Sequence, residues 1–228
     1  MTSLKRAPFL AAFGALATLA CAGQEEVTQE RPTLVDPTNP AWSEVAPDSF
    51  VVTIETSRGD VHVEVVRAWA PVGADRFYNL VRLGYYDDAR FHRVVPGFIT
   101  QWGVAGDPEV TEVWYDRGMP DDPVVSSNVR GSIAYAFTDP GTRSTQVFIN
   151  MVDNTRLDSQ GFAPFGRVVG GMETVVDSIF GEYGETSGGG VRQGEQDSLV
   201  ARGNAYLDSA FPRLDRLGRA YVSSESRR

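Results

Sequence analysis

The chain has 228 residues, of which 42% are hydrophobic and 11% aromatic, and its formal net charge is −9. This length and hydrophobic content suffice for one full-sized domain with a packed core. The acidic balance argues against a nucleic-acid-binding protein and against adhesion to anionic lipid through charge. Two histidines and one cysteine form no cluster with metal-ligand spacing, so we expect no metal and no other cofactor.

The first 23 residues have the character of an export signal. Lys5 and Arg6 precede a small, apolar run over 7–20 that is shorter than a membrane span. Cys21 stands at the end of this run, where a bacterial lipoprotein signal carries the cysteine that becomes lipidated. The same residues also satisfy the small-residue rule of ordinary signal cleavage, so lipidation and plain secretion both stay open. Either route predicts an exported protein of the periplasm or cell envelope, and an anchored form would favour the outer membrane.

Residues 24–48 are polar and contain several prolines and glutamates. Such a composition favours a solvated chain over a packed core. We therefore predict a disordered tether over 24–48 and a single folded domain over 49–228.

Regular elements follow in the domain. Alternating apolar residues, proline helix starts and glycine stops predict these elements in chain order: a hairpin over 50–65, a helix from Pro71 to Gly84, strands over 131–136 and 145–150, a helix over 172–179 and a last strand over 220–222 that returns to the first. The stretch 103–129 is predicted to be a long irregular loop, and 195–218 has no clear pattern.

A second hairpin over 91–102 carries the only cation among its apolar residues, Arg93. Pro96 and Gly97 suit a tight turn, because proline presets φ and glycine accepts a positive φ. A two-residue turn pairs Arg93 with Thr100, whereas a three-residue connection pairs it with Gln101. His92 alternates away from Arg93, so we expect it to be structural.

The run F-H-R-V-V-P-G-F-I-T-Q at 91–101 resembles the signature of cyclophilin-type peptidyl-prolyl isomerases, and further matches follow in the family's order to about Ile179. The resemblance implies a mainly β fold, a closed eight-stranded antiparallel barrel capped by two α-helices. It also implies the three-residue connection, and an enzyme that accelerates rotation about X-Pro bonds and so assists the folding of exported proteins.

The family's site residues carry over onto matching positions. Arg93 would donate a hydrogen bond to the twisted prolyl amide, with Gln101 as the second catalytic residue. The residues implied to bind substrate are Phe98, Ile99, Ala134, Gln146, Phe148, Leu157, Phe162 and, through its main chain, Tyr135. The expected partners are proline-containing polypeptides, and the expected state is a monomer.

Six positions depart from the family pattern: Ile99, where Met is common, Trp102, where Gly is common, Tyr135, where Asn is frequent, Val147, where Phe is usual, Arg156, where the eukaryotic form has Trp, and Phe162, where His is found. Because cyclosporin binding in the family depends on that Trp, we expect weak binding here. The alternative function is a client-binding chaperone module of the periplasm, with weak or incidental isomerase activity. A weaker third option is a non-catalytic part of an envelope complex.

Overall fold

The computed structural model describes Met1, residues 31–187 and residues 196–226. The predicted signal over 1–23, with Cys21, lies outside the described residues. The described residues form one sheet of eight strands in antiparallel pairs, with the spatial order β3-β4-β6-β5-β7-β2-β1-β8. The strands are β1 (Ser49–Thr56), β2 (Gly59–Val66), β3 (Arg93–Val95), β4 (Ile99–Trp102), β5 (Ser132–Tyr135), β6 (Val147–Asn150), β7 (Pro164–Gly170) and β8 (Leu217–Ser226).

The first hairpin and the last strand follow the alternation in the sequence. Along β1 and β2 the valines and other apolar residues on one face are buried, and the two strands pair from Ser49 with Val66 to Thr56 with Gly59. β8 pairs antiparallel with β1, with Ala220 opposite Ile54. The prediction that 220–222 returns to the first strand is confirmed.

The predicted closed barrel is wrong, because the sheet curls into a half-barrel without closing. Its edge strands β3 and β8 are not paired as strands in the described part of the chain. A single bridge between Arg90 and Arg216 joins the segments that precede these two strands. β3 has only three residues, and its outer edge instead bridges to Gly184 through Val94. A short edge strand covered by another segment offers no free ladder for closure.

The first predicted helix is confirmed as α2 (Pro71–Arg82), which begins at proline and buries Phe77, Leu80 and Val81. The second is wrong: the apolar stripe over 172–179 is buried, but only Val176–Ser178 is helical, as a 3₁₀ turn. Glycines lie on both sides of this segment at 170, 171 and 181, and glycine is a poor helix former.

The predicted loop over 103–129 contains a short helix, α3 (Pro108–Trp114), whose first turn is capped by the side chain of Asp107. It packs against α4 (Gln196–Ala210), the element that occupies most of the unassigned region 195–218. α4 is broken at Gly203, which has a φ of 51°. A Cβ there would lie 2.3 Å from the carbonyl oxygen of Gly106, so only glycine permits this approach.

The predicted tether differs from the structure over 31–48, which packs on the domain. This segment holds α1 (Arg31–Leu34) and a 3₁₀ turn, Pro40–Ser43. The ring centroids of Trp42 and Trp114 are 4.4 Å apart, and the Trp114 indole donates to the Leu34 carbonyl at 2.7 Å. Two tryptophans supply enough apolar contact to order a polar, proline-rich segment. Within the described residues, no helix is both long and apolar enough to cross a membrane.

Candidate active site

Four side chains stand in one row across the outer face of the sheet. Arg93 on β3 is paired with Gln101 on β4, Gln101 with Phe148 on β6, and Phe148 with Ala134 on β5. Residues that are directly opposite in neighbouring strands project to the same face of a sheet. The register therefore places the predicted donor, its glutamine neighbour and two predicted pocket residues on one surface.

The turn that sets this register is the three-residue connection. Phe98 N–H donates to the carbonyl of Val95 at 2.9 Å, and Gly97 has a φ of 73°. Proline before a glycine with positive φ is typical of a type II turn. Of the two registers compatible with the sequence, the structure has the one that pairs Arg93 with Gln101.

A chain of amide hydrogen bonds continues from Arg93 into the protein. Nη1 of Arg93 donates to Oε1 of Gln101 at 3.1 Å, and Nε2 of Gln101 donates to Oε1 of Gln146 at 2.8 Å. Nε2 of His92 lies 3.2 Å from the same Gln146 oxygen. Because an amide oxygen only accepts, His92 carries its proton on Nε2, and the orientation of both glutamines is fixed.

His92 is fully buried and is the innermost member of this series of hydrogen bonds. Burial, with a smaller contribution from the positive charge of Arg93, lowers the pKa of His92 to about 4. The imidazole is therefore neutral at physiological pH, and its Nε2–H donates a hydrogen bond to Oε1 of Gln146. The expectation that His92 is structural agrees with this position.

Six of the predicted substrate-binding residues form, together with Ala136, a cluster of their own that is separate from the main core. Its members are Ile99, Ala134, Phe148 and Leu157, with the partly buried Phe98, Ala136 and Phe162 packed against them. The rings of Phe148 and Phe162 meet edge to face, with centroids 5.7 Å apart. An apolar cluster on the outer face of a sheet, beside a cation, is a surface suited to a small apolar ring.

Arg93 borders this pocket with a free donor. Its guanidinium carbon lies 5.7 Å from the ring centroid of Phe98. Its Nε–H is buried and has no hydrogen-bond partner among the described residues. A buried donor without a partner is costly in a folded protein, and such groups are concentrated at functional sites.

Asparagines that the sequence analysis did not single out hold the pocket loops. Asn150 Nδ2 donates to Oδ1 of Asn128 at 3.1 Å, and Asn154 Nδ2 donates to the carbonyl of Phe98 at 3.0 Å. Asn128 Nδ2 donates to the Phe162 carbonyl and to Asp158, both at 2.8 Å. Partial burial raises the pKa of Asp158, but hydrogen bonds from Ser127 and Asn128 outweigh this effect and hold the pKa below its usual range. Buried asparagines leave no periodic signal, so only their contacts identify them.

Among the predicted site residues that the structure describes, only Tyr135 has a side chain that lies away from the pocket. It points into the main core, 5.1 Å from Phe165 between ring centroids, because it follows Ala134 on the strand and alternation reverses its side chain. Only its main chain, paired with Val147, remains near the site. Arg156, in contrast, is exposed and lies with its guanidinium carbon 4.8 Å from the Phe98 ring centroid.

The described residues contain no group of three or more His, Cys, Asp or Glu side chains arranged to hold a metal ion.

Comparison with known proteins gives a consistent result. Residues 51–189 match the family described as cyclophilin type peptidyl-prolyl cis-trans isomerase/CLD. Peptidyl-prolyl cis-trans isomerase A of Dickeya dadantii is 36% identical over 154 residues, which cover 62% of this chain and 75% of that protein. The peptidyl-prolyl cis-trans isomerase of Acinetobacter baylyi is 31% identical over 144 residues, covering 57% and 71%.

The fold is shared with solved structures at lower identity. The crystal structure of a cyclophilin type peptidyl-prolyl cis-trans isomerase from Cryptosporidium parvum has a TM-score of 0.56 and 21% identity, and the match covers 78% of this chain and 99% of that one. At this identity the likeness concerns the fold alone. The fold and the sequence matches define an enzyme that isomerises peptidyl-prolyl bonds. The chain belongs to the cyclophilin-type peptidyl-prolyl cis-trans isomerases.

Proposed function

We propose that this isomerase acts on X-Pro bonds of exported proteins, with Arg93 as the hydrogen-bond donor to the twisted prolyl amide. The observation that carries the proposal is the Nε–H of Arg93, which has no hydrogen-bond partner among the described residues and lies beside the apolar cluster. The cluster takes the proline ring, and Gln101 and Gln146 hold the guanidinium and the substrate backbone. Ala134 and the main chain of Tyr135 line the groove.

The chemistry needs no covalent step. Resonance in the amide gives a barrier of about 18–20 kcal/mol, so X-Pro bonds interconvert over tens to hundreds of seconds. Twisting the bond localises a lone pair on the prolyl nitrogen, which becomes an acceptor that the planar amide lacks. A donor placed for that lone pair stabilises the transition state more than the ground state and so lowers the barrier.

The geometry favours arginine for this role. Its guanidinium is always charged and rigid, so fixing one nitrogen fixes the direction of the others. With Nη1 bound to Gln101, the Nε edge keeps its direction without help from the substrate. The side chain is only 13% exposed, so water competes weakly for the donor.

The place of action follows from the N-terminal signal. We propose that the chain is exported and that Cys21 is lipidated, which anchors the domain to a membrane through residues 24–30. Mass spectrometry of the protein recovered from the membrane fraction tests this. A diacylglyceryl group on an N-terminal Cys21, lost in Cys21→Ser, supports the anchor, whereas a cleaved soluble form contradicts it.

The activity itself is tested by NMR exchange spectroscopy on X-Pro peptides. We expect the wild-type chain to accelerate cis/trans exchange, and we expect Arg93→Ala to lose that effect. Suppression of aggregation is measured in the same samples. A chain that suppresses aggregation equally well with and without Arg93, and that does not accelerate exchange, would be a binding module rather than an isomerase.

A further inference from the structure

The segment 181–187 adds itself to the outer edge of β3, next to Arg93. Val94 pairs with Gly184 in an antiparallel bridge. The hydroxyl of Ser187 donates to the carbonyl of His92 at 2.6 Å, which ties the far end of the segment to the residue before β3. At the near end Gly181 lies so close to Pro96 that a Cβ would be 2.8 Å from its Cγ. The segment therefore lies along the edge of β3, bonded at Val94 and at His92 and close to Pro96.

This bridge places Glu185 opposite Arg93. In an antiparallel pair the residue before Val94 faces the residue after Gly184. The contact follows the register: Nη2 of Arg93 donates to Oε1 of Glu185 in a close ion pair, with the two side chains 13% and 26% exposed. The row across the sheet thus has a fifth member, Glu185, beyond Arg93.

We propose that Glu185 is a positioning residue of the active site, an inference that rests on the isomerase function proposed above. The guanidinium lies between two acceptors, with Gln101 at Nη1 and Glu185 at Nη2. Two acceptors on one rigid fork fix the plane as well as the direction of the group. The Nε–H itself is bound by neither acceptor and has no partner among the described residues, so it is left for the substrate.

The order of the residues in this row decides whether removing Glu185 slows or speeds the reaction. Phe148 and Ala134 lie beyond Gln101, whereas Glu185 lies on the opposite side of Arg93. A carboxylate that competed with substrate would have to stand on the pocket side. Glu185 instead binds Arg93 from the side of β3 opposite Gln101, and its negative charge offsets the cost of holding a guanidinium that is only 13% exposed. Removing it is therefore expected to slow the reaction rather than to release a block.

The first test separates positioning from binding by steady-state NMR exchange kinetics on the full chain. We expect Glu185→Ala to lower kcat about tenfold with KM changed less than about twofold, because a mispositioned donor costs rate and not affinity. Glu185→Gln keeps an acceptor and is expected to restore most of the rate. The matched control is Glu182→Gln, on the same segment, whose carboxylate is 70% exposed and pairs with Arg213. A Glu185→Ala rate equal to or above wild type overturns the proposal.

A second test does not depend on activity. The ¹⁵N order parameter and solvent exchange of the Arg93 Nε–H are measured by NMR in wild type and in Glu185→Ala, with thermal unfolding as a check of the fold. We expect a lower order parameter and faster exchange in the variant and no change in Glu182→Gln. An unchanged Arg93 signal overturns the positioning role even if the wild type is an active isomerase. Failure of the wild type to isomerise, with Arg93 loosened in the variant, overturns the proposed function alone.

Discussion

Arg93 lies directly opposite Gln101 in the β3–β4 ladder, and its Nη1 donates to Oε1 of Gln101 at 3.1 Å. A shift of the register by one residue would place Thr100 opposite Arg93 instead, and Thr100 is completely buried on the other face. The donor would then lose its acceptor and its place in the row. The Pro96-Gly97 turn, which sets the register, is therefore as much a part of the site as the side chains.

The buried imidazole of His92 makes stability depend on pH. Because the pKa is lowered from 6.5 in the unfolded chain to about 4 in the fold, the unfolded state binds more protons between these values. Stability is therefore lost as the pH falls from about 6.5 to about 4, by roughly 2–3 kcal/mol at pH 4.5. Urea unfolding of wild type and His92→Gln at pH 7 and pH 4.5 measures this, and we expect the variant to lose less.

The second histidine of the chain provides the control. His62 is exposed on β2, so His62→Gln serves as a histidine substitution that leaves the buried imidazole of His92 in place. The carboxyls of Asp158 and Asp215 have lowered pKa values in the fold, so their contribution to stability is lost only at lower pH. The loss of stability between about pH 6.5 and pH 4.5 is therefore assigned to His92. Equal pH dependence in wild type and His92→Gln would contradict the assignment.

The sequence allowed prediction of those parts of the fold that depend on local patterns. Alternation identified β1 and β2, proline and glycine bounded α2, and an eleven-residue motif located the Arg93 hairpin. The parts that were wrong depend on distant partners. Barrel closure depends on what covers the edge of β3, and the order of 31–48 depends on Trp114, which lies far along the chain.

The candidate site shows the same division. Six of the seven members of the apolar cluster, all except Ala136, were named from the sequence because they occupy family positions, and their role in binding substrate stays a prediction. Glu185 was not singled out, because a lone glutamate in a glycine-rich stretch has no periodic signal. Asp121 and Asp122 lie in the stretch that was predicted only as an irregular loop, although both bind Arg143. A side chain's partner is visible only when the fold brings the two together.

The buried ion pair of Arg143 and Asp122 is expected to be important for stability. Their side chains are 1% and 2% exposed, and Asp122 also accepts hydrogen bonds from the first turn of α2 at Val72 and Gly73. Arg143→Met leaves a buried carboxylate without its cation, at a cost of about 3–5 kcal/mol in the free energy of unfolding. Chemical denaturation gives this value.

A solvated pair of the same kind serves as the comparison. Nη2 of Arg167 lies 2.8 Å from Oε2 of Glu64, and the two side chains are 58% and 32% exposed. Arg167→Met is expected to cost no more than about 1 kcal/mol. If the two substitutions had equal effects, burial would not be the reason for the stability of the Arg143 pair.

The N-terminal segment is expected to stabilise the domain through Trp42. Its ring packs on Trp114, and its indole donates to the carbonyls of Thr33 and Asp36 at 3.1 Å. Trp42→Ala should lower the free energy of unfolding by about 1–3 kcal/mol. Val45→Ala, at a residue 61% exposed in the same segment, should have no measurable effect. If the melting temperature of Trp42→Ala equalled that of the wild type, Trp42 would not stabilise the domain and the prediction would be wrong.

Phe162 is expected to contribute to affinity for the proline ring. It is partly buried and packs edge to face on Phe148 at the rim of the apolar cluster. Phe162→Ala removes part of the apolar contact, and we expect KM to rise about tenfold, which corresponds to roughly 1.4 kcal/mol. Tyr221→Ala, a half-buried aromatic on β8 at the far edge of the sheet, is the control. A fall in kcat at constant KM would place Phe162 outside the proline pocket.

The most direct measurement is the rate of cis/trans exchange in an X-Pro peptide with wild type, Arg93→Ala and Arg167→Ala, each checked for its fold by thermal unfolding. We predict clear acceleration by wild type and by Arg167→Ala. Arg93→Ala should lose about 10²–10³ in kcat, which is the scale for one preorganised donor. A folded Arg93→Ala that isomerises as fast as wild type would contradict the role of Arg93 as the donor.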